Sequence, residues 1–220
     1  MTGKKWKNVL LFLWIGCIVM LMNATGCGLS EPAEMDGAGI AKYLNELESY
    51  ETQASVTFYS NKNENTYLVQ QQVCRDGRYR MEIREPAEFA GVTTISDGQT
   101  VVQSDPSIQG TVKAKNTPVR DALLLYTFLA CYTPSEETFV RQEDGSALLT
   151  APYNTEMDKL ASGRLRFNIA TQKPEMLEIL DKDGNPSLRI VYQSFEGNKT
   201  FDEGLFQTTG QKEESQNSGS

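Results

Sequence analysis

Between Thr52 and Pro86 apolar and polar residues alternate with a period of two, the pattern of strands that bury one face. Ala54, Val56 and Phe58 fall on one side, and Ser55, Thr57 and Tyr59 on the other. Asn61-Lys-Asn-Glu-Asn65 is turn chemistry. From Thr66 to Arg75 the alternation resumes, with Tyr67, Val69 and Val73 on one side and Leu68, Gln70, Gln72 and Cys74 on the other. Asp76-Gly77 signals a tight hairpin turn. Tyr79, Met81 and Ile83 then oppose Arg78, Arg80, Glu82 and Arg84. Pro86 stops the run, because it has no N–H to give to a ladder. The pattern predicts a three-strand meander whose apolar face needs a cover.

Helical spacing supplies two covers. Asp36 or Gly37 opens a helix predicted to reach about Tyr50, with Ile40, Tyr43, Leu44 and Leu47 on one stripe and Lys42, Asn45, Glu46 and Glu48 opposite. Phe89 to Asp97 and Gln99 to Ser104 predict a hairpin about Asp97-Gly98. Asp105 to Lys115 is weakly patterned, as a loop or a ragged edge strand would be. Thr117-Pro118 then starts a second helix, with a hydroxyl N-cap, proline at the first helical position and Asp121 in the first turn. From Ala122 to Cys131 only Thr127 is neither apolar nor aromatic. That predicts a helix buried all round, in the concavity of a curved sheet and too short to span a bilayer. Its Leu123, Leu124, Leu125, Phe128 and Leu129 either line an acyl-sized cavity or fill the same space as a core plug.

Strand signals return at Thr138–Gln142, Ala147–Ala151, Arg164–Ala170, Glu175–Asp181 and Ser187–Phe195. The fold class is α+β: a curved antiparallel sheet forming an incomplete barrel, with helices over the concave face. The tail, residues 207–220, has no apolar side chain to bury and is expected to be disordered.

The first residues follow a different pattern. Lys4, Lys5 and Lys7 precede an apolar run from Val9 to Met22, and Ala24-Thr25-Gly26 lies directly before Cys27. This is the anatomy of an export signal, and its end resembles a bacterial lipobox. The resemblance implies cleavage before Cys27, a lipid on that cysteine and a protein held on the extracytoplasmic face of the cell membrane. Residues 1–26 are then a signal peptide, 27–36 a tether and 37–206 the folded domain. Cleavage would remove three lysines and no acid, taking the formal charge from −8 to about −11. Such a domain is repelled by nucleic acid and by anionic membrane surfaces.

Chemistry is constrained by an absence: the chain has no histidine. Serine and cysteine triads, histidine-held zinc and an imidazole base are excluded, and no spaced carboxylate motif replaces them. No enzyme, metal or cofactor is expected. Asp181-Lys-Asp-Gly-Asn185 starts like a calcium loop but continues with Pro186 and Tyr192 where glycine and glutamate belong, so it reads as a turn. Arg78, Arg80, Arg84, Arg164 and Arg166 form either a basic strip for an anion or a solvated face paired with acids. Cys74 and Cys131 are either paired or free.

The order of helix and meander, then Tyr79-Arg80-Met81-Glu82, Glu85-Pro86, a strand and Asp97-Gly98, resembles the lipoprotein-carrier (LolA/LolB-like) family over roughly residues 40–206. That resemblance implies a concave face able to bind lipid or lipoprotein acyl chains. With the lipobox and the missing catalytic residues, the chain resembles the GerS-type germination lipoproteins of spore formers. This implies a non-enzymatic partner of a cell-wall (cortex) amidase in the forespore or spore envelope. An acyl-chain carrier and an RseB-like envelope sensor are the alternatives, and sheet edges could also join copies of the chain.

Overall fold

Eleven antiparallel strands form one open, curved sheet in the order β6-β5-β4-β3-β2-β1-β11-β10-β9-β8-β7. The computed structural model describes residues 35–60, 62–114, 117–153 and 157–208. The predicted signal peptide, Cys27 and the tail beyond Thr208 lie outside the described residues. The first meander comprises β1 (Ser49–Tyr59), β2 (Glu64–Cys74), β3 (Arg78–Glu85), β4 (Thr93–Asp97), β5 (Val101–Asp105) and β6 (Ile108–Ala114). The second comprises β7 (Phe139–Arg141), β8 (Ser146–Pro152), β9 (Ser162–Asn168), β10 (Lys173–Leu180) and β11 (Pro186–Gly197). They join where β1 pairs with β11, Val56 facing Ile190 and Phe58 facing Leu188.

This order leaves β6 and β7, neighbours in sequence, at opposite edges of the sheet. The chain between them returns over the concave face, where it carries α2 (Pro118–Asp121) and α3 (Leu125–Cys131). The single helix predicted here is therefore broken. Leu124 is extended (φ −95°, ψ 131°), and side chains of the sheet satisfy the backbone at the break. Gln71 Nε2 donates to the Leu123 carbonyl at 3.4 Å, and Leu125 N–H donates to Tyr50 Oη at 3.1 Å. Nor is the crossing buried all round: Tyr126 and Thr127 are half-buried and Ala130 is exposed.

The first helix, α1 (Gly37–Asn45), is shorter than its apolar stripe predicts. Asp36 caps it, accepting from Gly39 N–H at 2.7 Å, and Ile40 and Leu44 are fully buried. The helix stops because Ser49 and Tyr50 are recruited into β1, which is hydrogen-bonded on both sides. The residues from Phe89 onward also differ from the prediction: Ala87–Phe89 is a 3-10 turn and the strand starts at Thr93. Of the two readings for residues 105–115, the edge strand forms. Its pattern is weak because only one side of it is paired.

The convex face is polar and internally matched. Glu51 accepts from Gln70 and Gln72 at 3.1 Å, Arg80 and Arg84 share Glu82, and Arg166 bridges Asp144 and Glu175. Arg189 pairs with Glu178 at 2.8 Å. These arginines serve a solvated, paired face. The Asp181–Asn185 segment is a hairpin turn in which Asp181 Oδ1 accepts from the N–H groups of Asp183 and Asn185. Cys74 and Cys131 are free, half-buried thiols.

Beyond β11 the chain runs along one end of the sheet as a strap. The Lys199 carbonyl accepts from Ser49 Oγ at 2.5 Å. Phe206 is buried beneath the Arg78 guanidinium, which also binds Glu203 at 2.6 Å. Thr208 Oγ1 donates to Asp97 Oδ2 at 2.6 Å. That hydroxyl first, and the N–H groups of Thr100 and Gln99 next, hold the Asp97 carboxyl below its usual range. A lowered carboxyl pKa contributes stability above the unfolded value near 3.9, and loses it as pH falls through the folded value. Hydrogen exchange at residues 203–208, corrected for intrinsic rates, is expected to accelerate at about pH 3 relative to about pH 6. Thr208→Val should remove part of that dependence.

Candidate functional site

The crossing segment covers only part of the concave face. Leu123 lies over β2, where its carbonyl meets Gln71, and Leu125 lies over β1 at Tyr50. Phe128 rests on Gly163 of β9, so closely that a Cβ there would stand 2.9 Å from Phe128 Cδ2. Tyr132 reaches α1, where a Cβ at Gly37 would lie 2.5 Å from its hydroxyl. The path thus runs from the middle of the first meander over the second.

The five residues singled out from the sequence separate along this path. Leu124, Leu125, Phe128 and Leu129 are buried and belong to the main core with Leu149, Leu165, Phe167, Leu177 and Ile190. They fill the space from β1 at Tyr50 to β9 at Gly163. Leu123 alone is half-buried and borders open space. Tyr126 ties the crossing to the α1–β1 connection by donating to the Leu47 carbonyl at 2.8 Å, and burial pushes its hydroxyl pKa up to about 12.

Over the first meander the concave face is left as a groove of about 500 Å³. Its floor is Val56, Val69, Met81 and Ile83, with Phe58, Tyr67, Phe89, Val92 and Leu123 around them. Asn65, Thr94, Gln103 and Asp105 supply its polar atoms. The rings of Phe58 and Tyr67 meet edge to face with centroids 6.0 Å apart, and Phe89 lies tilted against Tyr67 at 5.7 Å, so that the three form one wall. This volume is that of a small-molecule or side-chain site, which is roughly 300–1,000 Å³.

Among the described residues Asp105 is the one charged residue lining the groove. Its Oδ1 accepts from the hydroxyl and the N–H of Ser107 at 2.7 and 2.8 Å. Those bonds favour the ionised form and hold the carboxyl below its usual range. Among the described residues no cluster of three potential metal ligands occurs, and no helix is long and apolar enough to cross a membrane. The arrangement can hold an apolar group or an extended chain against a hydrogen-bonding rim.

The sequence reading missed the groove, although it had placed Val56, Phe58, Tyr67, Val69, Met81 and Ile83 on one face. No local signal marked it, because the groove is enclosed by residues of five different strands and Leu123 of the crossing segment.

The model of the YdcC-like sporulation proteins matches residues 6–206. The sporulation protein YdcC of Bacillus subtilis is 20% identical over 207 residues, which cover 92% of this chain and 61% of that protein. The chain therefore spans less than two thirds of the length of that relative. Among solved structures, the CwlD amidase from Clostridioides difficile in complex with the GerS lipoprotein includes a chain 23% identical to this one. That match covers 70% of this chain and 89% of the other, with a TM-score of 0.43. A LolA superfamily protein from Nitrosomonas europaea is 12% identical over 78% of this chain and 97% of its own, with a TM-score of 0.47. The match over residues 6–206 places the chain in the family of YdcC-like sporulation proteins.

Proposed function

We propose that the protein is a membrane-tethered, non-enzymatic binding protein of the sporulating cell envelope that holds an exported protein partner, a cell-wall amidase. One observation carries the reading. The helical crossing packs down on the second meander, while the apolar groove of the first meander opens beside an unpaired sheet edge. A chain lacking histidine has no imidazole for acid–base work, which supports a binding role over a catalytic one. The sporulation family supports the setting, and the lipobox-like segment before Cys27 supports the extracytoplasmic tether.

The test is native mass spectrometry on the full chain, gently extracted from membranes of sporulating cells. A stoichiometric amidase in the complex is the expected result. Loss of the gene should impair cortex modification and germination. Intact cortex and germination, with no protein bound, would overturn the reading.

A second reading is favoured by the groove itself, whose floor suits an acyl chain. A lipid mass on the extracted protein, without a protein partner, would put that reading first.

A further inference from the structure

Among the large apolar side chains left in the open, Phe89, Ile108 and Val112 gather at one place, while Val140, Met157 and Val191 lie elsewhere. Phe89 is 41% exposed, Ile108 60% and Val112 62%. Val112 pairs with Gln103 and Ile108 with Asp105, and Gln103, Asp105 and Phe89 all border the groove. Directly opposed residues of an antiparallel pair share a face. Ile108 and Val112 therefore carry the groove's apolar surface onto β6, the last strand of the sheet. Among the described residues no strand neighbours the outer side of β6, whose backbone N–H and C=O groups are a template for another extended chain. The opposite edge is a poorer one. β7 is three residues long, its Phe139 packs against α1 at Gly37, and Arg141 binds the Met35 carbonyl.

Charge selects the occupant. Among the described residues the groove's one charged side chain is the ionised Asp105, and Glu88 is exposed beside Phe89 in the turn at the rim. A negative rim disfavours an anionic lipid headgroup. It also disfavours a second copy of this chain, which carries a formal charge of −8.

We propose that β6 and the groove together take an extended segment of the exported partner as a twelfth strand. That segment has apolar residues at alternate positions over Ile108, Val112 and Phe89, and a lysine or arginine beside Asp105 and Glu88. The proposal rests on the partner-binding reading and names how the partner is held. β-strand addition supplies main-chain hydrogen bonds, the groove selects alternate side chains, and the rim selects charge.

The test uses the full chain and two synthetic peptides, acetyl-Lys-Thr-Val-Thr-Ile-Thr-Val-Thr-Lys-amide, whose lysines share a face with its apolar residues, and the same peptide with glutamate at both ends. Titration is followed by hydrogen exchange. The lysine peptide should slow exchange in β6 and bind about tenfold more tightly than the glutamate peptide. The double substitution Ile108→Lys, Val112→Lys should abolish that protection, while Val140→Lys on β7 leaves it intact. Circular dichroism and thermal melting verify that each variant is folded. No protection of β6, or equal affinity for both peptides, overturns the proposal. So does protection of β6 that appears without peptide as protein concentration rises, which would assign the edge to self-association. Failure here leaves the amidase capture experiment to stand or fall separately, because that experiment depends on no assumed contact surface.

Discussion

Phe128→Ala is expected to lower the melting temperature by roughly 10 °C, because it removes a ring from the fully packed centre of the crossing segment. Phe128 is fully buried against β9 and stacks on Tyr132, with ring centroids 5.8 Å apart. Truncating such a residue costs about 3–5 kcal/mol when the site cannot collapse. Here the sheet below is held on both sides by hydrogen-bonded strands, so little collapse is available. Gly163 offers a sharper check. A Cβ there would meet Phe128 Cδ2 at 2.9 Å and the Tyr153 ring at 3.2 Å. Gly163→Ala alone should therefore destabilise by overpacking, by about 1–3 kcal/mol. In the double variant the methyl group enters the space the ring has left, so the combined cost should fall short of the sum by about 1 kcal/mol. Thermal and denaturant unfolding of the four proteins measures this. Simple additivity would mean that the crossing is not seated on β9 as described.

Cys27→Ala is expected to move the protein from the membrane fraction to the soluble extracytoplasmic fraction. A single acyl chain gives only marginal membrane binding, with an association constant of about 10⁴ M⁻¹, whereas two or more chains anchor stably. The acidic folded domain adds no electrostatic attraction to an anionic surface. Without the lipid nothing in residues 35–208 is expected to hold it there, since no helix among the described residues can span a bilayer. Fractionation, with metabolic labelling by a fatty acid analogue, checks both parts. Retention of Cys27→Ala in the membrane without label would point to the apolar run Val9–Met22 as an uncleaved anchor.

Both predictions concern features that differ in how plainly the sequence displays them. The lipobox-like segment is a local pattern, read from adjacent residues. Most strands were equally plain, because a two-residue period survives wherever one face is buried and the other wet. Asp76-Gly77, Asp97-Gly98 and the Asp181–Asn185 turn fixed three hairpins, and the glycines at 77, 98 and 184 do adopt positive φ. Local signals were weaker where an element is only half-supported. β6 pairs on one side, so its pattern fitted a loop and an edge strand equally well. At Ser49 and Tyr50 two signals competed. Helical spacing continued through them, but two neighbouring strands offered a full set of hydrogen bonds and buried the Tyr50 ring completely.

The apolar segment from Ala122 to Cys131 shows where sequence reasoning ends. Its composition required burial and excluded a membrane span, but left plug and cavity lining open. What separated Leu124, Leu125, Phe128 and Leu129 from Leu123 was strand order: pairing β1 with β11 put β6 and β7 at opposite edges and drew the connection across the sheet. Burial preference is a property of each side chain and can be read along the chain. Which surface a residue is buried against depends on contacts between segments far apart in sequence. The sequence by itself determined the antiparallel strands, the acidic, histidine-free surface and the apolar faces seeking cover. Tertiary structure alone decided that the cover runs short over the first meander, leaving a groove that opens onto a free edge.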